Sequence, residues 1–262
     1  MPDSPFHLAN TPSEDIRISF VIPVLNEERL VMRLVELFTP ERRKKYRFEV
    51  IASDGASNDA SLSLLREAQK RGLVDTILEH TETRRQTIAE GRNKGAEAAR
   101  GRVLVFINAD TVPHNMDTLC EAVTAWEQAK TGIAAATPVY IAPEEQIWSD
   151  RIFHACMNVY VRALNVLGIG MGRGECQIVR RAAFEELGGY KSNIVAGEDF
   201  DLYTRLRRNG SISWLREAII YESPRRFRKY GYLAIIWRWF SNSIAVLVLK
   251  KSVAREWELI RE

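Results

Sequence analysis

The stretch "VLVFINADTV", residues 103–112, is the clearest indication of the fold, because it is a strand-like apolar run that ends in two polar side chains. Five apolar residues are followed by Asn108, Ala109 and Asp110. An uninterrupted apolar run of this length indicates a strand buried on both faces, as in a parallel sheet. In an extended chain the side chains of Asn108 and Asp110 would point to the same side. The end of this strand is therefore the first place to look for a ligand site.

The flanking sequence alternates strand-like and helix-like segments. The strand-like segments are residues 16–25, 48–57 and 74–80, and the helix-like segments are residues 27–38, 59–72 and 84–101. This alternation predicts an α/β fold with a doubly wound, mostly parallel sheet. Ligands of such sheets bind at the carboxyl ends of the strands, where Asn26 and Asp54 also fall.

The second half of the chain is less regular. It contains helix-like segments at residues 147–168, 180–190 and 198–210, and a glycine-rich stretch, "GIGMGRGE", at residues 168–175. No internal repeat or low-complexity tract is present. The glycine-rich stretch does not lie between a strand and a helix of a βαβ unit, which argues against a dinucleotide-binding loop.

The composition excludes several functional classes. The chain has 262 residues, is 46% hydrophobic and 27% charged, and has a net charge of +3, which predicts a globular protein without a nucleic-acid partner. Its three cysteines have no C-x-x-C spacing, which argues against a disulfide framework or a zinc site. The N-terminus does not resemble a secretory signal, and we predict a cytoplasmic protein.

Carboxylates at strand ends and at one helix start are the candidates for chemistry. Asp54 and Asp110 each follow a predicted strand, although either could simply cap the following turn. Glu198, Asp199 and Asp201 crowd the start of the helix at 198–210. They either stabilise that helix end or supply a general base, since crowded carboxylates raise one another's pKa.

Four of these motifs resemble a known family. The segments "SFVIPVLNEE", "IASDGASND", "GRNKGAEAARGRVLVFINADT" and "GEDFDLYTRLRRNG" are similar, in order and spacing, to the family 2 glycosyltransferases with the GT-A fold. The resemblance covers about residues 17–222. It implies an inverting transferase that uses a nucleotide-sugar donor, typically a UDP-sugar, together with Mn²⁺ or Mg²⁺.

The resemblance also implies roles for individual residues. Donor-binding roles fall on Pro23, Val24, Asn26, Glu27, Asp54, Arg92, Asn93, Asn108 and Asp110. Asp110 would be the direct metal ligand, and Asp199 would be the catalytic base. The acceptor side would include Glu198, Gly172 and Arg173, although the glycine-rich stretch could equally be a plain connecting loop. Asn108 departs from the family, which usually has Asp there, and this removes one negative charge from the metal site.

The predicted domains follow from these boundaries. Residues 1–15 form a flexible lead-in, and residues 16–222 form the catalytic domain, with a nucleotide-binding half at 16–112 and an acceptor half at 113–222. Residues 223–262 form a basic, apolar C-terminal extension, whose segment 223–255 has eight Lys or Arg residues and no acid. Its helix at 231–249 would lie in a membrane interface, pack on the protein or a second subunit in a homodimer, or span a bilayer.

Three functions remain open at this stage. The first is a metal-dependent glycosyltransferase that acts on a carbohydrate or lipid-linked acceptor, with the protein held peripherally at the inner face of a membrane. The second is a non-catalytic nucleotide-sugar binder on the same fold, an alternative that Asn108 suggests. The third is a nucleotidyltransferase, which lacks support because no phosphate-binding loop precedes the first helix. A retained base at Asp199 favours the first.

Overall fold

A computed structural model describes residues 15–194 and 196–237, so most of the predicted lead-in and of the C-terminal extension lies outside the described residues. The strands are β1 (Ile18–Val24), β2 (Phe48–Asp54), β3 (Thr76–Glu79), β4 (Val103–Ile107), β5 (Thr111–Pro113), β6 (Ala134–Ala136), β7 (Val139–Tyr140), β8 (Cys176–Arg180), β9 (Ile212–Trp214) and β10 (Ile220–Glu222). The helices are α1 (Val31–Val35), α2 (Pro40–Tyr46), α3 (Ser61–Lys70), α4 (Ile88–Ala98), α5 (Met116–Ala129), α6 (Trp148–Val166), α7 (Arg181–Glu186), α8 (Glu198–Asn209) and α9 (Arg225–Tyr230).

The main sheet has seven strands in the order β3-β2-β1-β4-β8-β6-β9. All of the pairs are parallel except for those that β8 makes with β4 and β6. The predicted α/β class and mostly parallel sheet are therefore confirmed. The antiparallel strand β8 was not predicted, and neither was helix α5.

The central strands are buried on both faces, as the apolar run at 103–107 predicts. Along β4, Val103, Val105 and Ile107 belong to one core cluster, whereas Leu104 and Phe106 belong to the cluster on the opposite face. Helices α1, α3 and α5 cover the first face, and α4 and α8 cover the second. This two-sided burial explains why the strand shows no polar alternation.

Local chemistry explains where several helices begin, and it corrects the predicted bounds. The helix predicted at 84–101 begins at Ile88, because Thr87 and Glu90 form a reciprocal capping box. The helix predicted at 27–38 is reduced to α1, because the chain first forms turns at 28–30. Gly95 lets α4 approach β1 closely, since an added Cβ would lie 2.3 Å from the Cγ1 atom of Val21.

A second, three-stranded sheet brings the end of the described chain back to the strand-end carboxylates. β10 pairs antiparallel with β5, and Glu222 is opposite Thr111. The residues after β10 therefore lie next to Asp110, and α9 begins there. Among the residues that the structure describes, no helix combines the length and the apolar character that a membrane span requires.

Candidate active site

Asp54 is the last residue of β2. One of its carboxylate oxygens accepts hydrogen bonds from the protein, and the other has no hydrogen-bond partner. The Oδ2 atom accepts hydrogen bonds from the backbone N–H groups of Ala56 and Ser57, both at 3.0 Å. The Oδ1 atom is buried and has no hydrogen-bond partner. A buried carboxylate oxygen without a partner is costly unless a ligand donor reaches it. Asp54 therefore has the geometry to accept a hydrogen bond from a bound base.

Two further unpartnered polar atoms lie near Asp54. They are the Oγ atom of Ser53 and the Nε2 atom of Gln86, and both are buried. Two glycines border this group, since Cβ atoms added at Gly55 and Gly91 would lie 3.5 and 3.2 Å from the Oε1 atom of Gln86. The group thus combines an acceptor, an amide donor and a hydroxyl. Sequence reasoning missed Gln86, which precedes α4 in an unremarkable polar segment.

Asn26 shapes the loop after β1. It has a positive φ of 57°, and its Oδ1 atom accepts a hydrogen bond from the backbone N–H of Asn58 at 2.8 Å. Its own backbone N–H donates to the Oγ atom of Ser57 at 2.9 Å. These contacts join the loops that follow β1 and β2. Pro23 and Val24, which precede this turn, pair with Ser53 and Asp54 of β2.

Arg92 is a buried junction of the site. Its Nη1 atom donates to the Oε1 atom of Glu198 at 2.9 Å, and its Nη2 atom donates to the Oδ1 atom of Asn108 at 2.9 Å and to the carbonyl of Gly174 at 2.7 Å. Its guanidinium also lies over the ring of Tyr190. The side chain is fully buried. Arg92 therefore joins the end of β4, the start of α8 and the glycine-rich stretch.

Asn93 is likewise occupied by the protein. Its Nδ2 atom donates to the carbonyl of Tyr190 at 2.8 Å, and its Oδ1 atom accepts from the N–H of Tyr190 at 2.9 Å. Both polar ends of the amide thus hold the segment that precedes α8. The resemblance implies nucleotide contacts for Arg92 and Asn93, and these roles stay predictions.

Asn108 and Asp110 do not share the extended geometry that the sequence predicts. β4 ends at Ile107, and residues 109–110 form a turn in which the N–H of Thr111 donates to the carbonyl of Asn108 at 3.1 Å. The side chain of Asn108 contacts Arg92, whereas that of Asp110 contacts Arg225. The turn separates the two side chains because it interrupts the two-residue period of a strand.

Arg225 links two of the predicted donor-site carboxylates. Its Nη2 atom lies 2.8 Å from the Oε2 atom of Glu27 and 3.2 Å from the Oδ2 atom of Asp110. The pKa of Glu27 is raised to about 7, first by burial and then by the nearby Asp110, while Arg225 opposes both effects. Sequence reasoning missed this role, because the basic segment at 223–255 was considered only as a membrane contact or as a packing surface, not as part of the donor site.

A cavity of about 350 Å³ opens beside Asp110. His114, Tyr221 and Glu222 contribute to its lining, and the hydroxyl of Tyr221 lies 3.0 Å from the Nδ1 atom of His114. Asp110, whose side chain is 31% exposed, can therefore reach a bound group.

A divalent cation at the end of β4 would have few protein ligands. The described part of the chain contains no group of three or more His, Cys, Asp or Glu side chains that could hold one. Asp110 offers one accessible carboxylate, and the amide oxygen of Asn108 is already used by Arg92. Mg²⁺ is often bound by one or two carboxylates together with phosphate oxygens of a substrate. The residues fit a cation that Asp110 shares with a diphosphate.

Asp199 lies at the start of α8, beside the glycine-rich stretch. Its Oδ1 atom accepts a hydrogen bond from the backbone N–H of Phe200 at 2.8 Å, and a Cβ added at Gly174 would lie 3.3 Å from its Oδ2 atom. The pKa of Asp199 is raised to about 7, first by burial and then by the adjacent Glu198, while Arg92 opposes both effects. A carboxylate with this pKa can take a proton at neutral pH.

The glycine-rich stretch is packed against α6 and α8. Asn165 makes two hydrogen bonds with the backbone of Met171, at 2.7 and 2.8 Å. Gly172 lies against the ring of Tyr203, since an added Cβ would come within 2.4 Å of it. Gly172 thus allows close packing, and its predicted place on the acceptor side stays a prediction.

Arg173 belongs to a buried ion-pair network. Its guanidinium contacts the carboxylates of Glu175 and Glu222, the former at 3.2 Å, and lies 3.2 Å from the Nδ1 atom of His154. Burial raises the pKa of Glu222 well above its ordinary value, against the attraction of Arg173. Because Arg173 is only 5% exposed, it anchors the loop that carries Gly174. An acceptor contact for Arg173 stays a prediction.

An α/β sheet with carboxylates at its strand ends, and a carboxylate with a raised pKa at the start of α8, is an arrangement compatible with a nucleotide-dependent transferase. The model of the family "Glycosyl transferase family 2" matches residues 19–188. The chain belongs to glycosyl transferase family 2. The family predicted from the four motifs, and the glycosyltransferase class, are thereby confirmed.

Two curated relatives have names that contain a lipid or a lipid phosphate. The dolichyl N-acetyl-alpha-D-glucosaminyl phosphate 3-beta-D-2,3-diacetamido-2,3-dideoxy-beta-D-glucuronosyltransferase of Methanococcus voltae is 26% identical over 43% of this chain and 35% of that protein. The beta-monoglucosyldiacylglycerol synthase of Trichormus variabilis is 24% identical over 78% of this chain and 43% of that protein. The chain thus spans less than half the length of each of these two proteins.

Solved structures support the predicted GT-A fold. The mannosyltransferase PcManGT from Pyrobaculum calidifontis, in complex with GDP-Man and Mn²⁺, has a TM-score of 0.67 at 21% identity, over 96% of this chain and 69% of that chain. S. aureus TarS 1-349 in complex with UDP-GlcNAc has a TM-score of 0.59 at 17% identity, over 92% of this chain and 68% of that chain.

Proposed function

We propose that this protein transfers a sugar from a nucleotide-diphosphate donor, in the first instance a UDP-sugar, to a hydroxyl group of an acceptor, with inversion at the anomeric carbon. The observation that carries the proposal is Asp199, a carboxylate at the start of α8 whose pKa is raised to about 7, beside Arg92, which also holds Asn108 at the end of β4. Asp199 accepts the proton of the acceptor hydroxyl while that oxygen bonds to the anomeric carbon and the nucleoside diphosphate leaves. General-base help of this kind contributes about 10² to 10⁴ in rate.

The unpartnered polar atoms around Asp54 support the proposal that the base of the nucleotide binds there. The Oδ1 atom of Asp54 accepts the ring N–H of a pyrimidine such as uracil, and the Nε2 atom of Gln86 donates to one of its carbonyls. Both atoms are buried without a partner in the protein. Each hydrogen bond made there removes the penalty of an unsatisfied buried group, so binding of a complementary base is favoured.

Asp110 would hold a divalent cation together with the diphosphate of the donor. When bound, such a cation would neutralise charge that grows on the leaving diphosphate. The mannosyltransferase PcManGT, solved in complex with GDP-Man and Mn²⁺, supports Mn²⁺ as the first ion to test. Arg225 adds a fixed positive charge at the same place, since it lies 3.2 Å from Asp110.

The acceptor is proposed to be lipid-linked. The support comes from relatives whose names contain a dolichyl phosphate or a diacylglycerol. A carbohydrate hydroxyl carried by such a lipid would still need a base. A lipid phosphate is already ionised at neutral pH, so transfer to it would not require Asp199.

The decisive experiment is a donor screen with UDP-, GDP- and dTDP-sugars, in which binding and hydrolysis are measured with and without Mn²⁺. We expect one donor to bind tightly and to be hydrolysed slowly in the presence of Mn²⁺. The Gln86→Ala variant tests the base pocket, because it should weaken binding of the selected nucleotide by about tenfold. Gln69→Ala on α3, an exposed glutamine, is the matched control. Absence of binding to every donor would overturn the proposal.

A non-catalytic nucleotide-sugar binder remains the second candidate. One observation favours it: the amide oxygen of Asn108 is occupied by Arg92, which leaves Asp110 with one fewer neighbouring acid than a D-x-D pair would supply. A binder of this kind would retain donor affinity and show no turnover with any acceptor.

A further inference from the structure

The exposed large apolar side chains of the described residues fall in two segments only. The first comprises α6 and its flanks, with Ile147, Trp148, Ile152, Val159, Tyr160, Val166, Leu167 and Ile169, and the second comprises Leu233, Ile236 and Trp237. Single exposed apolar residues are normally scattered over a protein surface, whereas a concentrated patch marks an interaction site. We call these eleven residues the α6 surface.

Helical spacing places much of the α6 surface on one side of α6. Trp148, Ile152, Val159 and Val166 follow one another at intervals of four, seven and seven residues, which keeps them on a single stripe. The opposite side carries Phe153, His154, Asn158 and Val161, which are buried against the protein. A helix that is apolar on both sides is normally covered on both sides.

The second segment lies beside the first. Phe153 on the buried side of α6 has its ring centroid 4.7 Å from that of Tyr232 and 5.3 Å from that of Phe227. Ile235 is buried in the same cluster. Leu233, Ile236 and Trp237 are therefore exposed on a segment that packs beside α6. The described chain ends on this surface, at Trp237.

The exposed charges of α6 itself are cationic, although two acids, Glu144 and Glu145, precede its first exposed apolar residue. Residues 151–170 contain no Asp or Glu, and Arg151 and Arg162 are exposed. The one acid of α6, Asp150, is buried and pairs with Arg228 at 2.9 Å. In a symmetric dimer the same patch would face itself, so these cations would oppose one another. An anionic partner is favoured instead.

We propose that the α6 surface docks onto the surface of an anionic lipid bilayer. Apolar side chains, tryptophans and flanking cations are the composition of a helix that lies in the interface of a membrane. Apolar burial provides the main attraction, and each cation near the anionic headgroups adds to it. In this arrangement α6 lies parallel to the plane of the bilayer and does not cross it.

This orientation sets the membrane close to the catalytic end of the molecule. Asn165, near the C-terminal end of α6, holds Met171 of the glycine-rich stretch. The same stretch carries Gly174, which lies beside Asp199. A bilayer under α6 thus comes near the loop where an acceptor would enter. The bilayer contact itself does not depend on the proposed transfer reaction.

Vesicle co-sedimentation of the full chain tests the proposal without any donor sugar, so its failure is separate from failure of the proposed reaction. The vesicles are phosphatidylcholine alone, or phosphatidylcholine with phosphatidylglycerol, each at low and high salt. The test variant is Ile152→Glu/Val159→Glu, which places two charges on the exposed stripe of α6. The matched control is Ala125→Glu/Gln128→Glu, which adds the same charge to exposed positions of α5.

We expect the unaltered chain and the α5 control to bind phosphatidylglycerol vesicles, with binding that weakens as salt rises. The α6 variant should bind about tenfold less at low salt, with unchanged thermal unfolding. Equal binding of all three proteins would overturn the proposal, because another part of the chain would then be the contact. No vesicle binding by the unaltered chain, with a dimer that the α6 variant dissociates, would show that a second copy covers the surface.

Discussion

The guanidinium of Arg92 donates a hydrogen bond to the amide oxygen of Asn108 across 2.9 Å, between the middle of α4 and the end of β4. The same guanidinium pairs with Glu198 at the start of α8. Asn108 thereby helps to hold the end of β4, the helix α4 and the start of α8 in one arrangement. Its side chain has an evident role in the protein that requires no metal.

The first prediction concerns this hydrogen bond. Asn108→Ala should lower the free energy of unfolding by about 1–3 kcal/mol, because a buried cationic donor loses an acceptor. Asn108→Asp keeps an acceptor in the same place and should retain most of the stability. Urea unfolding followed by circular dichroism measures both. Equal stability of Asn108→Ala and the unaltered chain would show that the contact is not needed for folding.

The second prediction concerns Asp199 as the base. Asp199→Asn should preserve donor binding and lower turnover by about 10²-fold or more. Only the ionised carboxylate accepts a proton, so turnover of the unaltered chain should rise with pH through about 7. Turnover measured from pH 5.5 to 8.5, with donor affinity by calorimetry, tests both statements. Near-normal turnover of the variant would mean that the acceptor is already ionised or that another group acts.

The third prediction concerns stability and the same carboxyl group. The pKa of Asp199 is raised from 3.8 to about 7 in the folded protein. Its contribution to stability is therefore full below pH 3.8 and is lost as pH rises through 7. Asp199→Asn should consequently make the protein more resistant to urea at pH 8 than the unaltered chain, and the gain should shrink toward pH 5. A gain that does not depend on pH would contradict the raised pKa.

The fourth prediction concerns Arg225 and Glu27. Arg225 lowers the pKa of Glu27, against burial and the charge of Asp110. Arg225→Gln should therefore raise the pKa of Glu27 above its value of about 7, as a carboxyl-carbon NMR titration would show. The neighbouring substitution Arg226→Gln removes the same charge and should leave that titration unchanged or nearly so. If the pKa of Glu27 shifted equally in both variants, the loss of any nearby positive charge would explain the shift, and a specific role of Arg225 would be contradicted.

The fifth prediction concerns the metal. Asp110→Ala should abolish the part of nucleotide-sugar binding that depends on Mn²⁺, while the fold is retained, because it removes the one accessible carboxylate of the proposed site. Asp15→Ala, at a fully accessible position far from the strand ends, is the control for loss of an acid. Calorimetric titrations of the donor with and without Mn²⁺ give the answer. Undiminished Mn²⁺-dependent binding in Asp110→Ala would remove Asp110 from the proposed site.

The local sequence pattern was enough to predict the strands and helices in the first half of the chain. The apolar run at 103–107 forms β4 as predicted, and strands alternate with helices along the first half of the chain. The capping residues Thr87 and Glu90 were not predicted, and they start α4 later than the predicted residue 84. Short-range propensity and periodicity suffice there, because the hydrophobic pattern of each element lies within its own short segment of the chain.

The side-chain contacts at the strand ends could not be predicted from the sequence, because they depend on the tertiary structure. Arg225 reaches Asp110 across 115 residues and Glu27 across 198 residues, because β10 pairs with β5 in the register that sets Glu222 opposite Thr111. Likewise, Arg92 engages Asn108, Glu198 and Gly174 from three different segments. No periodicity within a segment specifies such meetings, because they depend on the register and packing of strands that are far apart in the chain.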